Sequence, residues 1–167
     1  KTAKLDTSTF RAGSITQTVT LYDGIARIDI SNEIVKEALP SLNNKEEAYY
    51  TFPFKAGANY KIQYDLPAGN TGEGEQVYGT STDWYTANKW VNVKDGDYNM
   101  ALAIPNTTLL MFGERRLGEW SFDYKSEKPY IYSWVMNNFW DTNFQRDQPG
   151  YVNFKYSITT NRDARYE

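Results

Sequence analysis

Residues 151–159 read YVNFKYSIT. Val152, Phe154, Tyr156 and Ile158 alternate with Asn153, Lys155 and Ser157. A period of two places the apolar side chains on one face of an extended strand and the polar ones on the other. Strands with one apolar face belong to antiparallel sheets, in which one side packs on the core and the other meets water.

The same period recurs along the chain. Tyr60, Ile62, Tyr64 and Leu66 alternate with Lys61, Gln63 and Asp65, and Trp120, Phe122 and Tyr124 alternate with Ser121 and Asp123. The connections agree with hairpins. YDG at 22–24 joins SITQTVTL to IARIDIS, and KDGD at 94–97 joins KWVNV to YNMALAI. Asp-Gly supplies the positive φ of a tight hairpin turn. QPG at 148–150 has the Pro-then-Gly order of a turn. Only NEIVKEAL at 32–39, closed by Pro40, has helical character. PAGNTGEGEQ at 67–76 reads as a Gly-rich loop. It lacks a following helix and a G-K-S/T motif, so it is no phosphate cradle. About ten short strands separated by turns predict an all-β fold, a large antiparallel β-sandwich in which long strands bend across two sheets.

The 167 residues are enough for one domain with a real core, and residues 1–167 are read as a single β-sandwich domain. With 40% hydrophobic and 23% charged residues the composition is that of a globular chain. A net charge of −3 gives no electrostatic drive toward nucleic acid, so no such partner is expected. No apolar run has the length of a membrane span. Cysteine and histidine are both absent. Thiol catalysis, a Ser-His-Asp triad and an imidazole or thiolate zinc site within these residues are thereby excluded. The sequence begins at Lys1 with neither Met nor a signal pattern, and is expected to be processed or excised from a longer protein. Nothing in the composition fixes its compartment.

Aromatic residues reach 16%: 14 Tyr, 8 Phe and 5 Trp. Most large aromatics pack inside a sandwich, but one stretch is unusual. Residues 132–150, YSWVMNNFWDTNFQRDQPG, crowd Asn137, Asn138, Trp140, Asp141, Thr142, Asn143 and Phe144 into a connection between two strands. Amides offer donor and acceptor together, which matches vicinal hydroxyls, and an indole face can stack on the apolar face of a pyranose. Equally, Trp140 and Phe144 could plug the end of the sandwich while the amides cap turns. The residues alone leave both readings open.

Glycosidases commonly place two carboxylates about a scissile bond. Asp83 beside Trp84, Glu119 beside Trp120 and Asp141 beside Trp140 are acids with apolar neighbours, a setting that raises a carboxyl pKa. Among 21 acidic residues such neighbours arise readily, and surface acids or turn formers are the plainer reading. No catalytic residue and no metal ligand is assigned.

The 132–159 stretch resembles the C-terminal region of glycoside hydrolase family 38, the α-mannosidase family, in its bacterial form. The resemblance rests on Trp134, Met136, Asn137, Asn138, Trp140, Thr142, Asn143, Phe144, Gln148 and Gly150, in that spacing. Other segments are similar in the same order: LYDGIARIDISNEIVK at 21–36, then Glu47, Tyr50, Phe52, Pro53 and Phe54, then the tryptophan strand, turn and Ala-x-Pro strand within 81–114. About residues 15–160 are covered. The resemblance implies a supersandwich-like, galactose-mutarotase-like β-domain that follows a catalytic domain. It implies that the zinc and its His and Asp ligands belong to that catalytic domain, so no cofactor is expected in this chain.

On this reading the chain is an accessory domain of an α-mannosidase-like glycoside hydrolase, not catalytic alone. Its partners would be the catalytic domain of the same parent and a mannose-containing glycan. Asn137, Asn138, Trp140, Asp141, Thr142, Asn143 and Phe144 would form a sugar-cleft or interdomain loop. Two alternatives stand beside it: an independent carbohydrate-binding module with a row of exposed aromatics, and a structural interdomain element that exposes an apolar patch when isolated.

Overall fold

A computed structural model of the protein describes residues 11–39, 46–138, 143 and 145–160. Among these the fold is all-β, with every strand pairing antiparallel. The strands are β1 (Ala12–Tyr22), β2 (Ile25–Lys36), β3 (Glu47–Pro53), β4 (Lys61–Leu66), β5 (Gly69–Gly72), β6 (Tyr85–Thr86), β7 (Trp90–Asp95), β8 (Tyr98–Ala103), β9 (Leu109–Phe112), β10 (Tyr130–Asn137) and β11 (Gly150–Thr160). A seven-stranded sheet has the order β1-β2-β11-β8-β7-β4-β5, and a four-stranded sheet the order β3-β10-β9-β6.

The two sheets meet through aromatic side chains, as the alternation in β4 and β11 predicts. Phe52 of β3 packs on Tyr156 of β11 with ring centroids 4.8 Å apart, and Tyr64 of β4 packs on Phe112 of β9 at 5.8 Å. The Tyr156 hydroxyl donates to Ser133 Oγ at 2.9 Å, satisfying both groups inside the sandwich. Asp23-Gly24 and Gly96-Asp97 make the β1–β2 and β7–β8 turns, with φ of 71° at Gly24 and 58° at Gly96. Both values lie in the left-handed region that glycine enters without a Cβ penalty.

Three local expectations are corrected. Residues 32–36 are strand, not helix. Asn32, Ile34 and Lys36 are buried while Glu33 and Val35 are exposed, which is a period of two. Ladders with β1 and β11 on either side outweigh the weak helical propensity of so short a run. Within the Gly-rich 67–76 stretch, Gly69–Gly72 forms β5 and closes a hairpin on β4. Trp120, Phe122 and Tyr124 lie in a loop, because their segment bonds to residues 82 and 83 instead of a neighbouring strand. In β10 the register shifts between Trp134 and Met136. This bulge returns Val135 and Met136 to the core and leaves Trp134 on the outer face of the four-stranded sheet, against Tyr49.

The sheets are unequal, and among the described residues one end of the larger is uncovered. Across its inner face runs a row of paired residues: Tyr64, Val91, Leu102, Ile158, Ile28 and Leu21. Val91 and Leu102 are wholly buried, whereas Leu21, at the far end, is 72% exposed. The next row along the hairpin repeats the gradient, from buried Tyr156 through Ile30 to Val19, 54% exposed. The four-stranded sheet covers the inner face only part of the way to β1.

Candidate functional site

Of the seven loop residues singled out in the sequence, Asn137, Asn138 and Asn143 are described. Trp140, Asp141, Thr142 and Phe144 lie outside the described residues. Asn137 is the last residue of β10 and pairs with Glu47 of β3. Asn138 extends that ladder. Its backbone N–H donates to Glu46 O at 3.1 Å, and its Oδ1 accepts from the Glu46 N–H at 2.6 Å. One amide side chain thus satisfies a buried main-chain group where the strand ends, which is the turn-capping role. Asn143 is exposed.

Beside Asn138 lies an arrangement that sequence reasoning missed. The Lys36 side chain is buried. Its ammonium lies 2.9 Å from Glu46 Oε2 and 3.5 Å from Asp147 Oδ1, and donates to Glu37 O at 2.6 Å. The carboxylates are held in turn: Glu46 Oε1 accepts from Arg11 N, and Asp147 Oδ2 from Leu39 N. A buried ammonium requires such partners, because its desolvation is otherwise unpaid. Lys36 thereby ties the end of β2 to the start of β3 and to the segment that leads into β11. The available signal was its place at an inward position of an alternating strand.

A cavity of about 510 Å³ opens at this end of the sandwich. Lys36, Glu46, Asn138 and Asp147 give it polar lining, and Met136 and Phe154 apolar lining. Its size suits a small polar ligand with an apolar face.

A second cluster lies on the outer face of the four-stranded sheet. Asp83, read from sequence as a candidate acid, has no side-chain exposure and pairs with Arg116 Nε at 3.2 Å. Its Oδ2 accepts from Ser121 N at 2.9 Å, and Arg116 Nη2 donates to Ser121 Oγ at 2.7 Å. Thr82 N donates to Ser121 O, and Tyr124 N to Thr82 Oγ1. Asp83 is therefore a structural anchor that fastens the 81–84 loop to the 119–124 loop. Glu119, the second candidate acid, is exposed on that loop, and Asp141 lies outside the described residues.

These clamped loops carry tryptophans. Trp84 meets Trp120 edge-on at 5.9 Å and Trp134 at 6.4 Å, and Trp134 stacks on Tyr49 at 6.0 Å with ring planes 12° apart. The Trp134 indole N–H is buried and meets no acceptor among the described residues; nothing in the structure explains it. Tyr49 donates to Glu47 Oε2 and lies beneath Arg115. Burial, then that bond, pushes its phenol pKa up. Trp120 is the one non-glycine among the described residues with positive φ, at 58°, and its side chain is 56% exposed. That backbone state costs a bulky residue about 1–3 kcal/mol.

Among the described residues no three His, Cys, Asp or Glu side chains converge so as to hold a metal ion. No helix of the described residues is long and apolar enough to cross a membrane. No protein-family model matches the chain, and no curated protein matches it.

Proposed function

We propose that this chain is the accessory C-terminal β-domain of an α-mannosidase-like glycoside hydrolase of family 38. It buttresses the catalytic domain and lends the 137–144 loop to the wall of its sugar cleft. It is not catalytic alone. The zinc and the catalytic carboxylates belong to the neighbouring domain, and the glycan contains mannose.

The observation that carries this reading is the uncovered inner face of the larger sheet, where Val19 and Leu21 continue a buried apolar row into solvent. A sheet face of that kind is stable in water only with a cover, and a neighbouring domain supplies one. The ordered motifs that resemble family 38 say which domain. The cavity edged by Asn138 and closed by the Lys36 clasp fits the role of the loop: its polar groups are fixed before any ligand arrives.

The test is the full reading frame, followed by kinetics. A His- and Asp-rich zinc-binding domain is expected ahead of Lys1. In that enzyme, Trp140→Ala should lower kcat/KM on an α-mannoside by more than it lowers Tm. An unrelated upstream domain would sink the reading, and a loss of Tm with unchanged kcat/KM would place Trp140 in the core.

A further inference from the structure

We infer that Trp120, held over Trp84 on the outer face of the four-stranded sheet, is a stacking platform for a neutral pyranose ring. Both tryptophans stand on loops fixed from below by the buried Asp83–Arg116 pair and by the bonds of Ser121, so the mount is rigid before ligand arrives. The mount holds Trp120 at φ 58°, a backbone state that glycine would adopt freely. An indole kept there at a conformational cost, and kept 56% in solvent, contributes little to the core. Its exposed part is apolar surface turned to solvent instead.

The flank of that face is polar. Glu114 Oε1 takes Arg116 Nη1 at 2.9 Å while Ser121 Oγ takes Nη2, so one guanidinium links the Glu114 carboxylate to the side chain next to Trp120. Glu119 is exposed next in sequence to Trp120. An apolar plane flanked by carboxylate acceptors matches a ring with one C–H face and hydroxyl donors around its edge. The same carboxylates repel anions, which selects a neutral sugar over an acidic sugar or a phosphate.

This goes beyond the proposed function and does not need it. A chain that binds pyranosides but has no glycosidase parent satisfies this inference and fails that one, and the reverse outcome separates them equally.

The experiment follows the five tryptophan indole N–H resonances of the 167-residue chain during titration with mannotriose, cellotriose and galactotriose. The Trp120 and Trp84 signals should shift saturably with at least one sugar. Trp120→Gly, which suits the φ, should weaken that binding at least about tenfold. An unmoved Trp134 signal in the variant would show that the fold is intact. No saturable shift with any of the three sugars overturns the inference. So does undiminished binding by Trp120→Gly, or a response confined to Trp140.

Discussion

Asp83 and Arg116 form an ion pair at 3.2 Å in which the carboxylate has no solvent exposure and the guanidinium very little. The pair joins two loops that are 33 residues apart in sequence. Removing one partner of such a pair leaves the other charge buried, at a cost of about 3–5 kcal/mol. Asp83→Asn should therefore lower the free energy of unfolding in urea by several kcal/mol, while Glu119→Gln, on the exposed neighbour, should change it by less than about 0.5 kcal/mol. Equal small effects from both would show that the clamp contributes nothing.

The Lys36 clasp predicts a similar asymmetry. Lys36→Ala leaves Glu46 and Asp147 as two like charges facing one cavity, and should destabilise by about 3–5 kcal/mol. Adding Glu46→Gln removes one of those charges and should restore part of the loss. A double variant as unstable as the sum of its single changes would mean that the three groups do not act together.

Alkaline stability follows from the tyrosines. Burial holds the Tyr156 phenol at about 12 against an ordinary value of 10.0, and burial likewise raises Tyr124 to about 12. Below pH 10 both groups are protonated in the folded and unfolded chain alike, so they add no pH dependence. Between about pH 10 and 12 the unfolded chain ionises first and is favoured. Stability should therefore fall across that window, and the last tyrosines to ionise should do so together with loss of the fold. A Tyr156 ring resonance that titrates near pH 10 in the still-folded chain would contradict the burial of Tyr156.

Leu21 tests the uncovered sheet face. It is 72% exposed, so Leu21→Lys should leave Tm nearly unchanged. It should also reduce concentration-dependent self-association of the isolated chain in sedimentation, because it interrupts the exposed apolar rows. A large drop in Tm would mean that Leu21 is packed.

The strands with strict alternation were legible in the sequence, because period two and burial on one face have the same cause. β11 and the first part of β4 follow their pattern. At the end of β4 the pattern inverts. Leu66 is exposed and Asp65 is buried, because its Oδ1 accepts three consecutive backbone N–H groups, from Asn88, Lys89 and Trp90. A carboxylate recruited to cap a chain reversal cannot be told from a solvated one by spacing. The alternation at 120–124 misled for a related reason: Ser121 spends its backbone groups on Asp83 and Thr82. In the 137–144 loop, amide density marked a place where the chain needs side-chain bonding, and at Asn138 the partner is Glu46 of the chain itself. Lys36 stayed hidden because its partners are remote in sequence.

The bulge in β10 gives the chain one residue more than the ladder needs. Upstream of Val135 the outward residues are Tyr132 and Trp134; beyond it the count is displaced by one. Deleting Val135 would restore a regular ladder in which Met136 still pairs with Ala48 and Asn138 still lies beside Glu46, at the loss of one partly buried apolar side chain. Straightening the bulge with Val135 kept would instead put Val135 opposite Ala48, turn Met136 out of the core and carry Asn138 past Glu46. A deletion at 135 should thus be tolerated better than a deletion at Ser133 or Trp134, and the facing of the amide-rich segment is set by that one extra residue.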